Sequence, residues 1–273
     1  MVKDKEVVIP PFRELFAKEI AESKKAFEDI DKMLLENPSN YNVVSSNGWC
    51  MMDCGTWDEF AEASAPLYAN IAKECKKHGI THVYDIGCCT AWQGRIFKAV
   101  GIEYTGIEAE GRDAFFAPKE DGITFVHSAY PYPIQVEDRE HTAAISNLCV
   151  GFSLLEGNPD KREDFTLELY KQLAADFDYF IGNVGPDEFK YFNSRFGILG
   201  KNEHCACWGN REKFHEFNEE AKREVFKDMS IFGEFNEKFL TNMIEEDKKE
   251  SKKENKVSLK PKVEKKELER DSR

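Results

Sequence analysis

The sequence predicts an α/β fold: an open, mostly parallel sheet of about 5–7 strands with helices on both faces, preceded by an N-terminal helical extension. Three observations predict it. Short apolar runs recur at Thr81 to Ile86, Tyr104 to Glu108, Ile123 to His127, Ala143 to Leu148 and Tyr179 to Val184. Most are separated by stretches long enough for crossover helices. The runs are apolar at successive positions, as expected of strands covered on both faces.

In chain order, Phe12, Leu15, Phe16, Ile20, Phe27, Ile30 and Leu34 recur at helical spacing, marking an amphipathic helix that stops before Asn37-Pro38. Tyr41 to Gly55 is irregular and reads as a loop that folds over a site. Thr56 and Glu59 have capping-box spacing, in which each side chain satisfies a backbone donor at a helix start. A further helix begins near Pro66, buries Leu67, Ile71 and Cys75, and ends at Gly79. The strands follow, with a sixth around Cys205 to Trp208; no seventh can be placed. The expected division is a helical extension and loop over 1–65, the sheet domain over 66–244 and a charged, disordered tail over 245–273, where apolar residues are too sparse to offset chain entropy.

Charge and composition narrow the function classes. The tail from Glu245 carries 11 basic and 9 acidic residues, leaving 27 basic against 42 acidic before it, a net of −15. Such a surface repels phosphate backbones, so nucleic acid is a disfavoured partner. No run of about twenty apolar residues exists and Met1 to Ile9 carries no readable secretory signal, so no membrane partner and a cytoplasmic location are expected. The segments Gly-x-Ser-x-Gly and Gly-x-x-x-x-Gly-Lys-Ser/Thr are both missing, which removes support for hydrolase and phosphate-loop chemistry. His204-Cys205-x-Cys207, even with Cys50 and Cys54, lacks the Cys-x-x-Cys spacing of structural zinc sites, so no metal is expected and Cys205 and Cys207 read as alternate strand residues.

The most informative stretch is His82 to Phe97, which reads as strand, tight turn and helix. At the carboxyl end of the first strand of an open sheet, a ligand reaches backbone N–H groups and the positive end of the next helix. Small residues are needed there, and Gly87, Cys89 and Ala91 supply them. Tyr104 to Glu108 is a second strand ending in a carboxylate about twenty residues after the loop, where an acid suits ribose hydroxyls; Glu110 is a competing candidate. A dinucleotide fingerprint fits less well, because Cys89 and Trp92 stand where it needs glycine.

Asp85-x-Gly87-x-Cys89-x-Ala91 resembles the first motif of class I, Rossmann-like S-adenosylmethionine-dependent methyltransferases, an acidic residue followed by three alternating glycines. Two of the three glycines are replaced, by Cys89 and Ala91. The resemblance implies S-adenosylmethionine as cofactor, with Gly87, Cys88, Cys89 and Ala91 holding its methionine part, Asp85 orienting the loop and Glu108 holding the ribose. It also implies an adenine contact from Ser128 or the Ala129 backbone. Tyr130 either stacks on the base or, with Pro131, Tyr132 and Pro133, makes a rigid turn. Asn147 stands where the family's loop nears the transferable methyl group, yet Leu148-Cys149-Val150 follows in place of Pro-Pro and an aromatic residue, against methylation of base amino groups. The implied activity is methyl transfer to a small-molecule or protein acceptor through unassigned catalytic residues. The competing reading is a non-catalytic interaction protein on the same fold, its pocket degraded by the two replacements.

Overall fold

The computed structural model describes residues 7–15, 17, 65–109, 117–131, 133–147, 162–184 and 189–229. α1 (Phe12–Leu15) is the described helix of the N-terminal extension. Apart from residues 7–15, 17 and 65, the extension, with the Tyr41 to Gly55 loop and the Thr56/Glu59 capping box, lies outside the described residues, as do the charged tail, Tyr132 and Glu110.

Seven strands form one sheet in the order β3-β2-β1-β4-β5-β7-β6. They are β1 (His82–Ile86), β2 (Glu103–Glu108), β3 (Ile123–His127), β4 (Thr142–Asn147), β5 (Tyr179–Asn183), β6 (Phe196–Lys201) and β7 (Ala206–Asn210). All neighbours pair in parallel except β7, which runs antiparallel to both β5 and β6. The helices are α2 (Ala65–Lys77), α3 (Gly94–Ala99), α4 (Arg162–Asp176), α5 (Phe189–Asn193) and α6 (Glu219–Met229).

Alternation along the strands sends successive side chains to opposite faces. Val83, Tyr104, Ala143, Ile145, Ile181, Cys205 and Cys207 join one core with α2 and α3. Ile86, Ile107, Ala144, Phe180, Ala206 and Trp208 join another with α4, α5 and α6. The second is dense in aromatic rings: Phe192 stacks on Phe196 at 4.8 Å and meets Trp208 edge-on at 4.9 Å. α2 starts where Pro66 suggests and ends at Gly79, whose φ of +73° is the left-handed conformation that closes a helix without a Cβ penalty.

β6 is the strand the sequence hides. Its Gly197 and Gly200 read as breaks, yet the ring of Phe217 occupies the space a Cβ on Gly197 would need. The glycine is there to admit an aromatic ring, and the strand signal is lost with the side chain.

Candidate functional site

Strand order reverses at β1: β2 and β3 lie to one side of it, β4 and β5 to the other. The crevice beyond the carboxyl ends of β1 and β4 is thus a topological switch point, where open α/β sheets accept ligands. Three features build that end of the sheet. Ser146, fully buried in β4, donates its hydroxyl to the Ile86 carbonyl at 3.0 Å and ties the two strand ends together. The loop from Gly87 to Gln93 follows β1 and leads into α3. Glu108 closes β2 beside it.

The loop is pinned to β2 by its backbone. The N–H groups of Gly87 and Cys88 both donate to the Ile107 carbonyl, at 2.9 and 3.2 Å, and the Ala91 N–H donates to the Cys88 carbonyl at 3.0 Å. Gly106 makes the close approach possible: a Cβ there would lie 2.5 Å from Cys88 Sγ and 3.1 Å from Ala91 Cβ. Gly87, Cys89 and Ala91 have φ of +74°, +50° and +57°. The two residues that replace motif glycines therefore take the left-handed conformation a glycine favours, at a cost of about 1 kcal/mol or more each.

Asp85 supports the loop from below. Its side chain is wholly buried; Oδ2 accepts from Tyr104 Oη at 2.6 Å and from Gln93 Nε2 at 2.7 Å. Gln93 Nε2 also donates to the Cys88 carbonyl at 2.9 Å, so the amide couples the carboxylate to the loop. Burial pushes the Asp85 carboxyl up to about 6, against the opposing effect of those hydrogen bonds, and pushes the Tyr104 phenol up as well. Among the described residues, Asp85 Oδ1 is buried without a hydrogen-bond partner. An acceptor left in that state is costly and calls for a donor.

Glu108 Oε2 accepts from the Cys89 N–H at 2.9 Å, so the acid at the end of β2 is bonded to the loop that follows β1. The Ser128 N–H donates to the Glu108 carbonyl at 2.9 Å, which brings the end of β3 alongside; Ala129 next to it is exposed. Asn147 ends β4 in register with Asn183. Cys89 is partly exposed, whereas Cys88 and Ala91 point into the core beside Trp92, Ile96 and Phe97. The side chains of Cys88 and Ala91 are thus closed to a ligand, and their N–H groups already donate within the loop and to β2.

Of the two readings for Tyr130, stacking on a base fails: the ring is buried against the α4 side of the sheet and its hydroxyl donates to Asp176 at 2.7 Å. Gln93, Gly106 and Ser146 were not singled out by sequence. A polar residue before a helix, a glycine within a strand and a serine in an apolar strand are each too common to signal a site.

His204 lies on the exposed turn before β7, while Cys205 and Cys207 face α2 from the core. Burial pushes the Cys205 thiol up to about 12 and Cys207 higher still. Cys50 and Cys54 lie outside the described residues.

No protein-family profile and no curated protein matches the sequence. Solved structures do. A TehB-like S-adenosylmethionine-dependent methyltransferase from Corynebacterium glutamicum is 13% identical over 64% of this chain and 100% of its own, with a TM-score of 0.41. The N-methyltransferase NodS from Bradyrhizobium japonicum, in complex with S-adenosyl-L-homocysteine, is 8% identical over 60% of this chain and 98% of its own, with a TM-score of 0.40. The open, mostly parallel seven-stranded sheet of the described residues is an α/β fold.

Proposed function

We propose that the chain binds S-adenosylmethionine in the crevice beyond β1 and β4 and transfers its methyl group to a small-molecule or protein acceptor. The observation that carries this reading is the loop backbone. Three alternate residues, Gly87, Cys89 and Ala91, hold positive φ although two of them have side chains that disfavour it. Strain of this kind persists where the surroundings over-determine it, and it clusters at ligand-holding turns. It also weakens the competing idea of a degraded pocket, because the replacements leave the left-handed backbone in place.

The residues fit the cofactor in two further respects. Asp85 Oδ1, a buried acceptor with no partner among the described residues, suits the cationic methionine end. Glu108 sits on the loop at the end of β2, where an acid accepts from ribose hydroxyls. When bound, the cofactor supplies an electrophilic methyl on a sulfonium. The chain's own part is then to hold the donor, through the loop and Glu108, and to position an acceptor and exclude water. The acidic body favours a small-molecule or protein acceptor over a nucleic acid, and a cytoplasmic location belongs to the same reading. Among the described residues no helix is long and apolar enough to cross a membrane.

Calorimetry of the full chain with S-adenosylmethionine and its demethylated product tests the reading. Binding of both, weakened at least about 10-fold by Glu108→Ala, is expected, since losing a charge-assisted hydrogen bond costs on the order of 1.5–3 kcal/mol. Absence of binding by either ligand would leave an interaction protein on a methyltransferase-like fold.

A further inference from the structure

A second cluster of chemically capable side chains lies away from the crevice, where α2 crosses β6 and β7. Glu74 lies in the last turn of α2 and His78 is the first residue past its end. His78 Nε2 lies 3.1 Å from Glu74 Oε1. Cys207 enters from β7, and its Sγ, the His78 ring nitrogen and the Glu74 oxygen all lie within 4.8 Å of one another. Glu74 is 4% exposed and Cys207 fully buried. Gly200 of β6 leaves the neighbouring position without a side chain: a Cβ there would sit 3.8 Å from Glu74 Oε1.

We propose that Glu74, His78 and Cys207 bind a zinc ion that clamps α2 to the β6-β7 edge of the sheet. Carboxylate, imidazole and thiolate are the three ligand types zinc takes, at about 2.0–2.3 Å; in a tetrahedral site this places donor atoms about 3.2–3.6 Å apart. The three atoms are close enough to converge on one ion by side-chain adjustment alone. Among common divalent ions, a set mixing sulfur, nitrogen and oxygen selects zinc over magnesium or calcium, which take oxygen. Water completes the shell, because Cys205, two residues earlier, donates to Asn202 Oδ1 at 3.4 Å.

Lys77 is the ion's competitor. Its Nζ lies 3.1 Å from the same Glu74 oxygen, but its side chain is 63% exposed and can swing into solvent. On binding, the Cys207 thiol releases its proton to solvent and Lys77 gives up its place on the carboxylate. The clamp is structural, since the His78 ring contacts Tyr179, the first residue of β5, at 5.8 Å between centroids. The ion therefore sits toward the amino ends of the parallel strands, opposite the crevice, and its presence does not depend on the methyltransferase reading.

In the sequence, only His204, Cys205 and Cys207, with Cys50 and Cys54 as distant partners, come up as a metal set, and their spacing speaks against one. The partners of Cys207 come from α2, more than a hundred residues earlier, which no local spacing could reveal.

The test is cobalt(II) titration of the chelator-stripped full chain, followed by displacement with zinc. One cobalt per chain with a thiolate-to-metal charge-transfer band is expected, lost in Cys207→Ser. Affinity should fall at least about 10-fold in His78→Gln and rise in Lys77→Met, which removes the competing cation. If the full chain binds no stoichiometric metal, or if Cys207→Ser keeps both band and affinity, the proposal is overturned. Should Cys207→Ser not fold, the partly exposed His78 decides: unchanged affinity in His78→Gln overturns the site. Calorimetry with S-adenosylmethionine should be the same with and without zinc, so failure of either idea is visible separately.

Discussion

Asp85→Asn separates what the buried acid does for the fold from what it does for a ligand. The carboxyl rises from the ordinary 3.8 to about 6 because burial disfavours its charge more than Tyr104 and Gln93 favour it. An acid with a raised folded pKa binds its proton more tightly in the native chain than in the unfolded one. The contribution of Asp85 to stability is therefore fullest below pH 4, falls as pH rises toward 6, and is level above that. At about 1.4 kcal/mol for each tenfold change in proton affinity, the loss is roughly 3 kcal/mol at neutral pH. Asparagine keeps an acceptor for Tyr104 and Gln93 but carries no charge. The variant should equal the parent near pH 4 and exceed it by up to about 3 kcal/mol at pH 8. Urea unfolding of both chains across pH 4–8 reads this difference, in which all other titrating groups cancel. In calorimetry the same variant should bind S-adenosylmethionine more weakly, because an amide nitrogen in place of Oδ1 repels a cationic ligand's donors. Parallel pH profiles for the two chains would refute the assignment of a destabilising buried charge to Asp85.

Other perturbations probe the loop and its supports. Cys89→Gly should leave stability unchanged or raise it by up to about 1 kcal/mol, as relieved left-handed strain outweighs the added freedom of the unfolded chain, whereas Cys89→Val should lose about 2 kcal/mol. Equal urea midpoints for the two would contradict the positive φ. Gly106→Ala places a Cβ 2.5 Å from Cys88 Sγ and should cost about 1–3 kcal/mol, part of it recovered in the Gly106→Ala/Cys88→Ala double variant; strict additivity in a double-mutant cycle would deny the contact. Tyr130→Phe removes the 2.7 Å hydrogen bond to Asp176 and should cost about 1.5–3 kcal/mol in thermal or urea unfolding, with no change in cofactor affinity if the ring belongs to the core.

The first five strands were legible because each is a short, mostly apolar run, although β3, at the sheet edge, buries only Ile123. β7 was visible only as Cys205 to Trp208, since Gly209 and Asn210 extend it with residues that seldom mark strands. Asn210 has a tertiary reason to be there: its side-chain amide donates to the carbonyls of Ala174 and Phe177, closing the end of α4. β6 was illegible for the reason Gly197 illustrates, where space for a distant aromatic ring overrides strand propensity.

The site divides along the same line. Asp85, the loop and Glu108 could be singled out because the pattern that marks them lies in order along the chain: acid, small alternate residues, then an acid at the next strand end. What the sequence left open was whether Cys89 and Ala91 keep a glycine-like backbone, and the structure answers through contacts distant in sequence. Gly106 clears the space into which Cys88 folds, the Ile107 carbonyl holds two loop N–H groups, and Gln93 ties the loop to Asp85. The left-handed turn is thus imposed by β2 and by the start of α3 more than by the residues that occupy it. Cys89 and Ala91 can thus hold a left-handed turn without glycine, because their neighbours enforce it.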